Sequence, residues 1–440
     1  MASLFRERDF ALLWSGQSVS ELGSSVTYVA LPLVAVVALH ARAFEVSVVT
    51  AASSIAWLIV GLPAGVWVDR LPRRPLLIGV DAGRALLMGT VPVAWWLHVL
   101  SLAQLVVVAF AVGLLSVFFD VGYPAYLPSV VPRDRLVEGN GALAASESAA
   151  NIVGPGLGGV LVQLVGAPIA LLADAASFVV SAVSLAAMRA GGGPPGPGER
   201  GRSRSAAGAG TGRALQRPPR QRLSRDIASG IRYVRAHPLP RTVAVAGALG
   251  NFVLGGYQAV IFVFLARQVG LSAGPIGVLL ALSSCGGLLG ALLAGPLSRR
   301  VGDARLMWAA PSVMAVFGLL VTLTGTGPRL AWYVAGALPM SLGVAAFNVC
   351  VRAAMQVAAP DAMLGRVTAT ARLLSRGATP VGALVAGALA GAIEPRATLV
   401  ILLLLLVALP VWLLLSPVGR VREVAQLAPA PTERAREPVG

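Results

Sequence analysis

Twelve stretches of mostly apolar residues run through this 440-residue chain, and each is long enough, at about 20 residues or more, to cross a bilayer as a helix. They fall at roughly 10–38, 44–68, 75–99, 102–127, 139–164, 167–189, 241–266, 274–297, 305–325, 330–357, 367–392 and 397–417. Lipid offers no partner to a backbone N–H or C=O, so such segments satisfy themselves as helices. The composition agrees: 56% of residues are hydrophobic and 12% charged, with a mean hydropathy of +0.79. Soluble domains carry about 25% charged residues, which excludes an ordinary soluble enzyme, and the apolar runs exclude disorder over most of the length. The first segment is far longer than the apolar core of about 7–15 residues in a signal peptide, so it reads as an uncleaved first helix.

The net charge of +16 does not point to nucleic acid, because the arginines sit in short runs between apolar segments. Arg6 and Arg8 precede the first segment. Arg70, Arg73 and Arg74 follow the second, Arg133 and Arg135 the fourth, and Arg299, Arg300 and Arg305 the eighth. The tail holds Arg420, Arg422, Arg434 and Arg436. Loops of the opposite parity hold single arginines, namely Arg42, Arg267, Arg329 and Arg396. Positive charge collects on the cytoplasmic side, so both termini are expected there.

Residues 190–240 break the pattern. Gly191–Gly198 is rich in Gly and Pro, and a dense run of arginines from Arg200 to Arg235 follows. Nothing in 190–235 is expected to join a core. Its charge suits topology enforcement and contact with anionic lipid. The expected organisation is an all-α membrane protein of two pseudo-symmetric six-helix bundles. Residues 1–189 form the first, 190–240 a basic cytoplasmic linker, 241–417 the second and 418–440 a tail.

Two six-helix halves imply duplication, and short matches support it. Gly65–Arg74 reads GVWVDRLPRR after the second segment, and Gly295–Arg305 reads GPLSRRVGDAR after the eighth, an offset of 230. Phe119-Asp120-Val121 and Pro132 match Phe347-Asn348-Val349 and Pro360 at an offset of 228. Parallel repeats of this size are a transporter architecture, with the site between the halves near the midplane.

The loop GVWVDRLPRR fits G-x-x-x-D-R-x-G-R-R except that Pro72 replaces the second glycine. It resembles the signature of the major facilitator superfamily. That resemblance implies a cytoplasmic latch built from Gly65, Asp69, Arg70, Arg73 and Arg74, with Asp81 and Arg84 beside it. Gly65 is expected to permit close helix approach, and the arginines to meet acids. The fifth segment holds Gly154, Pro155, Gly158 and Gly159 in the order G-P-x-x-G-G, which resembles the family's antiporter motif and implies export. Small residues there also allow helices to approach and bend. Phe10–Gln17, Pro124–Pro128 and Asp174–Phe178 are similar to the macrolide-efflux and enterobactin-exporter branch. The implied location is a bacterial inner membrane.

Ionisable residues inside spans are functional hypotheses by default. At about 1.5 Å per residue, Arg84, Asp120 and Glu147 lie some 13, 11 and 12 Å from their cytoplasmic ends. An Arg84–Asp120 or Arg84–Glu147 cluster follows. Glu21 lies ~17 Å into the first helix with no basic residue at its depth. A carboxyl group in that position can take up and release protons, as coupling requires. Glu21, Glu147 and Asp120 are the proton-coupling candidates. Arg352, Arg372 and Arg376 are possible partners from the other half, with Glu147 and Arg376 expected to pair across the cleft when the cytoplasmic side closes. Asp174 is expected near the outer boundary, orienting loops. Tyr28, Phe119 and Phe262 are among aromatics that could line a cavity.

All 35 basic residues are arginine, so no G-x-x-x-x-G-K-[ST] loop exists, and energy is expected from an ion gradient. No H-E-x-x-H or G-x-S-x-G occurs in a suitable setting, and Cys285 and Cys350 lie in apolar runs. Neither catalysis, a cofactor nor a metal site is expected. The reading is a proton-coupled exporter of an amphipathic small molecule such as a drug, macrolide or siderophore, acting as a monomer. The alternatives are a proton-coupled importer, or a sensor or scaffold working through the linker. Deleting 200–225 would abolish the last and spare a transporter.

Overall fold

The computed structural model describes residues 4–68, 70–189, 223–358 and 361–427. Among these residues every regular element is helical. Twelve helices are long and apolar enough to span a membrane: Arg8–Ala38, Ala43–Gly61, Arg73–Trp96, Leu102–Ser129, Leu136–Val165, Ala167–Ala187, Pro238–Gln268, Ala273–Val301, Asp303–Leu323, Gly327–Val357, Gly365–Ala392 and Pro395–Leu415. In chain order they are the first to twelfth spans. The second helix continues beyond its apolar stretch to Val68. The third begins at Arg73, so Arg73 and Arg74 occupy its first turn rather than the loop. Pro72 fits this start: it sits at the N-cap with φ −64 and ψ 117, and its carbonyl accepts from Leu76 N at 3.2 Å.

The duplication extends to backbone irregularities. The first and seventh spans each end in a π-helical turn, Val34–Ala38 and Phe264–Gln268, an offset of 230 (264 against 34). At the same offset come two left-handed residues, His40 with φ 51 and Gly270 with φ 78. Glycine adopts that conformation without a Cβ clash, whereas the first copy holds a histidine there.

The linker is not wholly outside the core. Leu223–Ala236 forms a helix, with Tyr233 and Val234 buried. Gly230 lies against the Thr370 side chain and the Arg366 carbonyl of the eleventh helix. The Tyr233 and His237 rings stack with centroids 3.8 Å apart. Gly230, Tyr233, Val234 and His237 recur at helical spacing, so one face can bury while Arg232 and Arg235 stay exposed. Residues 190–222 of the expected linker lie outside the described residues.

The first six spans pack on one another, as do the last six, and the halves meet along two seams. One joins the second span to the eleventh, where Gly387 lies against Ser47 and Gly377 against Leu58. The other joins the fifth to the eighth, where Gln163 accepts from Gly274 N at 2.8 Å. Arg267 adds a hydrogen bond to the Val36 carbonyl at 2.9 Å. These contacts lie toward the end of the bundle remote from the termini. At the other end, a Cβ placed on Gly65 or Gly365 would meet nothing within 4 Å. The named contacts between the halves gather toward the remote end, while Asp120, Glu147, Arg372 and Arg376 keep exposed surface within their spans, so the halves border a cleft on the side of the termini.

Candidate transport cleft

Three acids of the first half converge on this cleft. Glu21 is half-buried on the first span, and its carboxylate accepts from Gln17 Nε2 at 2.6 Å. Glu147 on the fifth span and Asp120 on the fourth both act electrostatically on Glu21. Asp120 and Glu147 have exposed surface yet interact with groups from several helices, as expected of side chains lining a cavity. Three carboxylates in mutual reach repel, and a proton or a cationic guest relieves the repulsion.

The other half contributes one cation. The Arg376 guanidinium, from the eleventh span, lies 4.2 Å from the centroid of the Trp57 ring on the second span. It also attracts Asp120, which interacts with the Trp57 indole as well. The expected pairing of Glu147 with Arg376 belongs to the state closed on the cytoplasmic side; in the present structure the guanidinium rests on Trp57 with Asp120 as the acid that attracts it. Arg372, one turn away, is exposed and repels Arg376. Arg352 is exposed on the tenth span and joins none of the described ion pairs.

Arg84 is not a free counter-ion for the cleft acids. It forms a tight ion pair with Asp81, three residues back on its own helix, and the two side chains are 6% and 0% exposed. Phe119 and Phe178 sandwich the guanidinium, with centroids at 4.3 and 4.4 Å. Asp81, expected at the cytoplasmic latch, is therefore interior, and Arg84 reaches Glu21 and Asp120 only as a longer-range charge. An i, i+3 pair satisfies both charges without drawing on another helix. Asp174 is likewise interior, at 1% exposure. It accepts from Thr27 Oγ1 at 2.6 Å, Ser177 Oγ at 3.1 Å and Ser24 Oγ at 3.4 Å, which ties the sixth span to the first rather than orienting a loop.

The loop motif acts through helix ends. Arg74 donates to the carbonyls of Leu185, Ala186 and Met188 at 2.8–2.9 Å, capping the sixth span. Arg73 donates to the Ala125 carbonyl at 2.8 Å near the end of the fourth. Unpaired C-terminal carbonyls carry partial negative charge, so guanidinium groups suit them. Arg70 is exposed, and Asp69 lies outside the described residues. Gly65, expected to allow close approach, has no neighbour in this structure: a Cβ there would meet nothing within 4 Å.

The glycine-proline motif packs in two directions. A Cβ on Gly158 would come 3.1 Å from Val26 Cα, and Gly154 lies against Ser25, so both seat the fifth span on the first. A Cβ on Gly159 would come 2.6 Å from the Ala273 carbonyl oxygen and 2.7 Å from Gly277 Cα, across the halves. One on Gly277 would come 2.5 Å from the Pro155 carbonyl oxygen. The motif thus makes a close backbone-to-backbone approach in the remote-end seam, and its partner Gly277, like Trp57, was not singled out from sequence.

The sequence matches the Major Facilitator Superfamily over residues 13–379 and 256–438. It is 28% identical over 423 residues to the multidrug efflux pump Tap of Mycolicibacterium fortuitum, spanning 94% of this chain and 95% of that protein. It is 25% identical over 304 residues to the enterobactin exporter EntS of Escherichia coli O1:K1 / APEC, spanning 66% and 64% respectively. The fold is similar to that of a mutant form of the nucleoside transporter NupG, with a TM-score of 0.75 and 12% identity, over 92% of this chain and 99% of that one. A bacterial homologue of the lysosomal transporter Spinster gives a TM-score of 0.71 at 13% identity over 97% and 99%. With twelve spans in two six-helix groups around a cleft, this chain belongs to the major facilitator superfamily, a family of multi-pass membrane transporters and not of enzymes.

Proposed function

We propose that this transporter exports an amphipathic small molecule from a bacterial cell in exchange for protons. The observation that carries the reading is the convergence of Glu21, Asp120 and Glu147, from three spans, on the cleft that the halves border on the side of the termini. With both termini in the cytoplasm, as the arginine distribution favours, that side is where a cytoplasmic substrate enters. The names of the relatives Tap and EntS support outward transport and a drug-like or siderophore-like substrate.

Arg376 supplies the switch. With Asp120 ionised, Arg376 is held across the cleft by charge and by the Trp57 face. A proton on Asp120 removes the charge attraction and leaves the cation–π contact, worth about 0.5–2 kcal/mol. The halves then rock more freely about the seams. A cationic substrate group and a proton compete for the same carboxylates, so loading one releases the other. The glycine seam between the fifth and eighth spans parts as the remote end opens.

The test is efflux of a lipophilic dye and a macrolide panel from whole cells, with and without a protonophore, for wild type, Glu21→Gln and Asp120→Asn. Protonophore-sensitive efflux that both substitutions lower at least tenfold is expected. Efflux indifferent to the protonophore would overturn the coupling.

A further inference from the structure

The Leu223–Ala236 helix carries an open groove of about 580 Å³ lined by Ile231, Arg232, Arg235 and Ala236. Residues 231 and 235 share one helical row, and 232 and 236 the adjacent one. Each row pairs one apolar side chain with one guanidinium. Among the described residues neither Arg232 nor Arg235 joins an ion pair, and both are exposed. The opposite face is fixed, with Tyr233 and Val234 buried and Gly230 seated on the eleventh helix at Thr370. That seat lies five residues inside the Gly365–Ala392 span, and the seventh span starts at Pro238, three residues after Arg235. The groove is therefore level with the membrane boundary, where a headgroup meets its acyl chains.

We propose that this groove binds an anionic phospholipid, its phosphate between Arg232 and Arg235 and its upper acyl chain along Ile231 and Ala236. Charge decides the occupant. Residues 200–225 of this chain are themselves rich in arginine and would be repelled. A zwitterionic headgroup offers less attraction to two unpaired guanidinium groups, and a free anion gains nothing from the apolar half of the groove. Bidentate geometry suits arginine to phosphate. A bound lipid would brace the linker helix on the same helix that carries Arg376, some 9 Å along it from Thr370.

The experiment uses the full-length transporter in detergent, titrated with short-chain phosphatidylglycerol, short-chain phosphatidylcholine or inorganic phosphate. The thermal unfolding shift is read as an apparent affinity. Phosphatidylglycerol is expected to stabilise wild type most, and inorganic phosphate not at all. In Arg232→Gln/Arg235→Gln the phosphatidylglycerol affinity is expected to fall about 25-fold, roughly fivefold for each guanidinium. If the double variant does not fold, Arg232→Gln alone should show the fivefold loss. Wild-type affinity in the variants would overturn the site. So would an equal loss in Arg420→Gln, which would mean diffuse surface charge, or an equal shift with inorganic phosphate, which would mean a free-anion site.

Discussion

Replacing Gly159 by alanine adds one methyl group where the backbones of the two halves come close together. That methyl carbon would stand 2.6 Å from the Ala273 carbonyl oxygen and 2.7 Å from Gly277 Cα, whereas ordinary contact begins near 3.4 Å. Both opposing atoms are backbone, so no side-chain rotation relieves the overlap, and the fifth and eighth spans must part by about 0.8 Å (3.4 less 2.6). Overpacking of this kind costs about 1–3 kcal/mol. The cost falls only on the state in which the remote end is closed, and it corresponds to a shift of about 5- to 150-fold in the balance between states. Alanine in place of glycine favours the helix itself, so overall stability should hold. Closure can be read by cross-linking Gln163→Cys to Ser272→Cys with a short bifunctional thiol reagent, since the native side chains meet across the seam at 3.4 Å, with Cys285 and Cys350 replaced by serine. The cross-linking rate should fall at least fivefold in Gly159→Ala, and efflux with it. An unchanged rate in a folded Gly159→Ala protein would refute the reading that this seam closes the cleft.

Three further outcomes follow from the interior polar groups. Asp81→Ala leaves Arg84 buried without its partner and should lower stability by about 3–5 kcal/mol in thermal unfolding, whereas Asp81→Ala/Arg84→Met should recover most of the loss. Asp174→Ala strips the shared acceptor from Thr27, Ser24 and Ser177 and should cost about 1–3 kcal/mol, with Thr27→Val adding less than its own effect because the two act through one contact. Arg376→Gln should slow the Gln163→Cys/Ser272→Cys cross-link about 2- to 30-fold, the range of a cation–π contact. Trp57→Ala should do the same, and the double variant no more than either alone.

The spans were legible because lipid demands long apolar helices, and a dozen windows met that demand within a few residues of their final bounds. The duplication was legible in the loops and was then matched by the two π-helical turns. The pairing of the charges was less so. Depth along a helix placed Arg84 level with Asp120 and Glu147, but azimuth and the nearer Asp81 decided its partner. Arg376 was recognised as a cross-half cation, yet its seat on Trp57 depends on how two distant helices face each other, which no local pattern encodes. Gly277 was missed for the same reason: its use is defined by Gly159, 118 residues away. The linker helix could have been found from the spacing of Gly230, Tyr233, Val234 and His237, had the density of arginine not masked the apolar face.

The central claim is that the acids of the first half couple substrate to protons. Purified transporter in vesicles with an internal pH indicator tests it most directly, by adding a lipophilic amine dye to one side and following proton movement. The account predicts protons moving against the dye in wild type, and loss of that counterflow in Glu21→Gln/Asp120→Asn/Glu147→Gln, in protein that still unfolds cooperatively on heating. Dye transport without proton movement in wild type, or counterflow that survives the triple substitution, would contradict it.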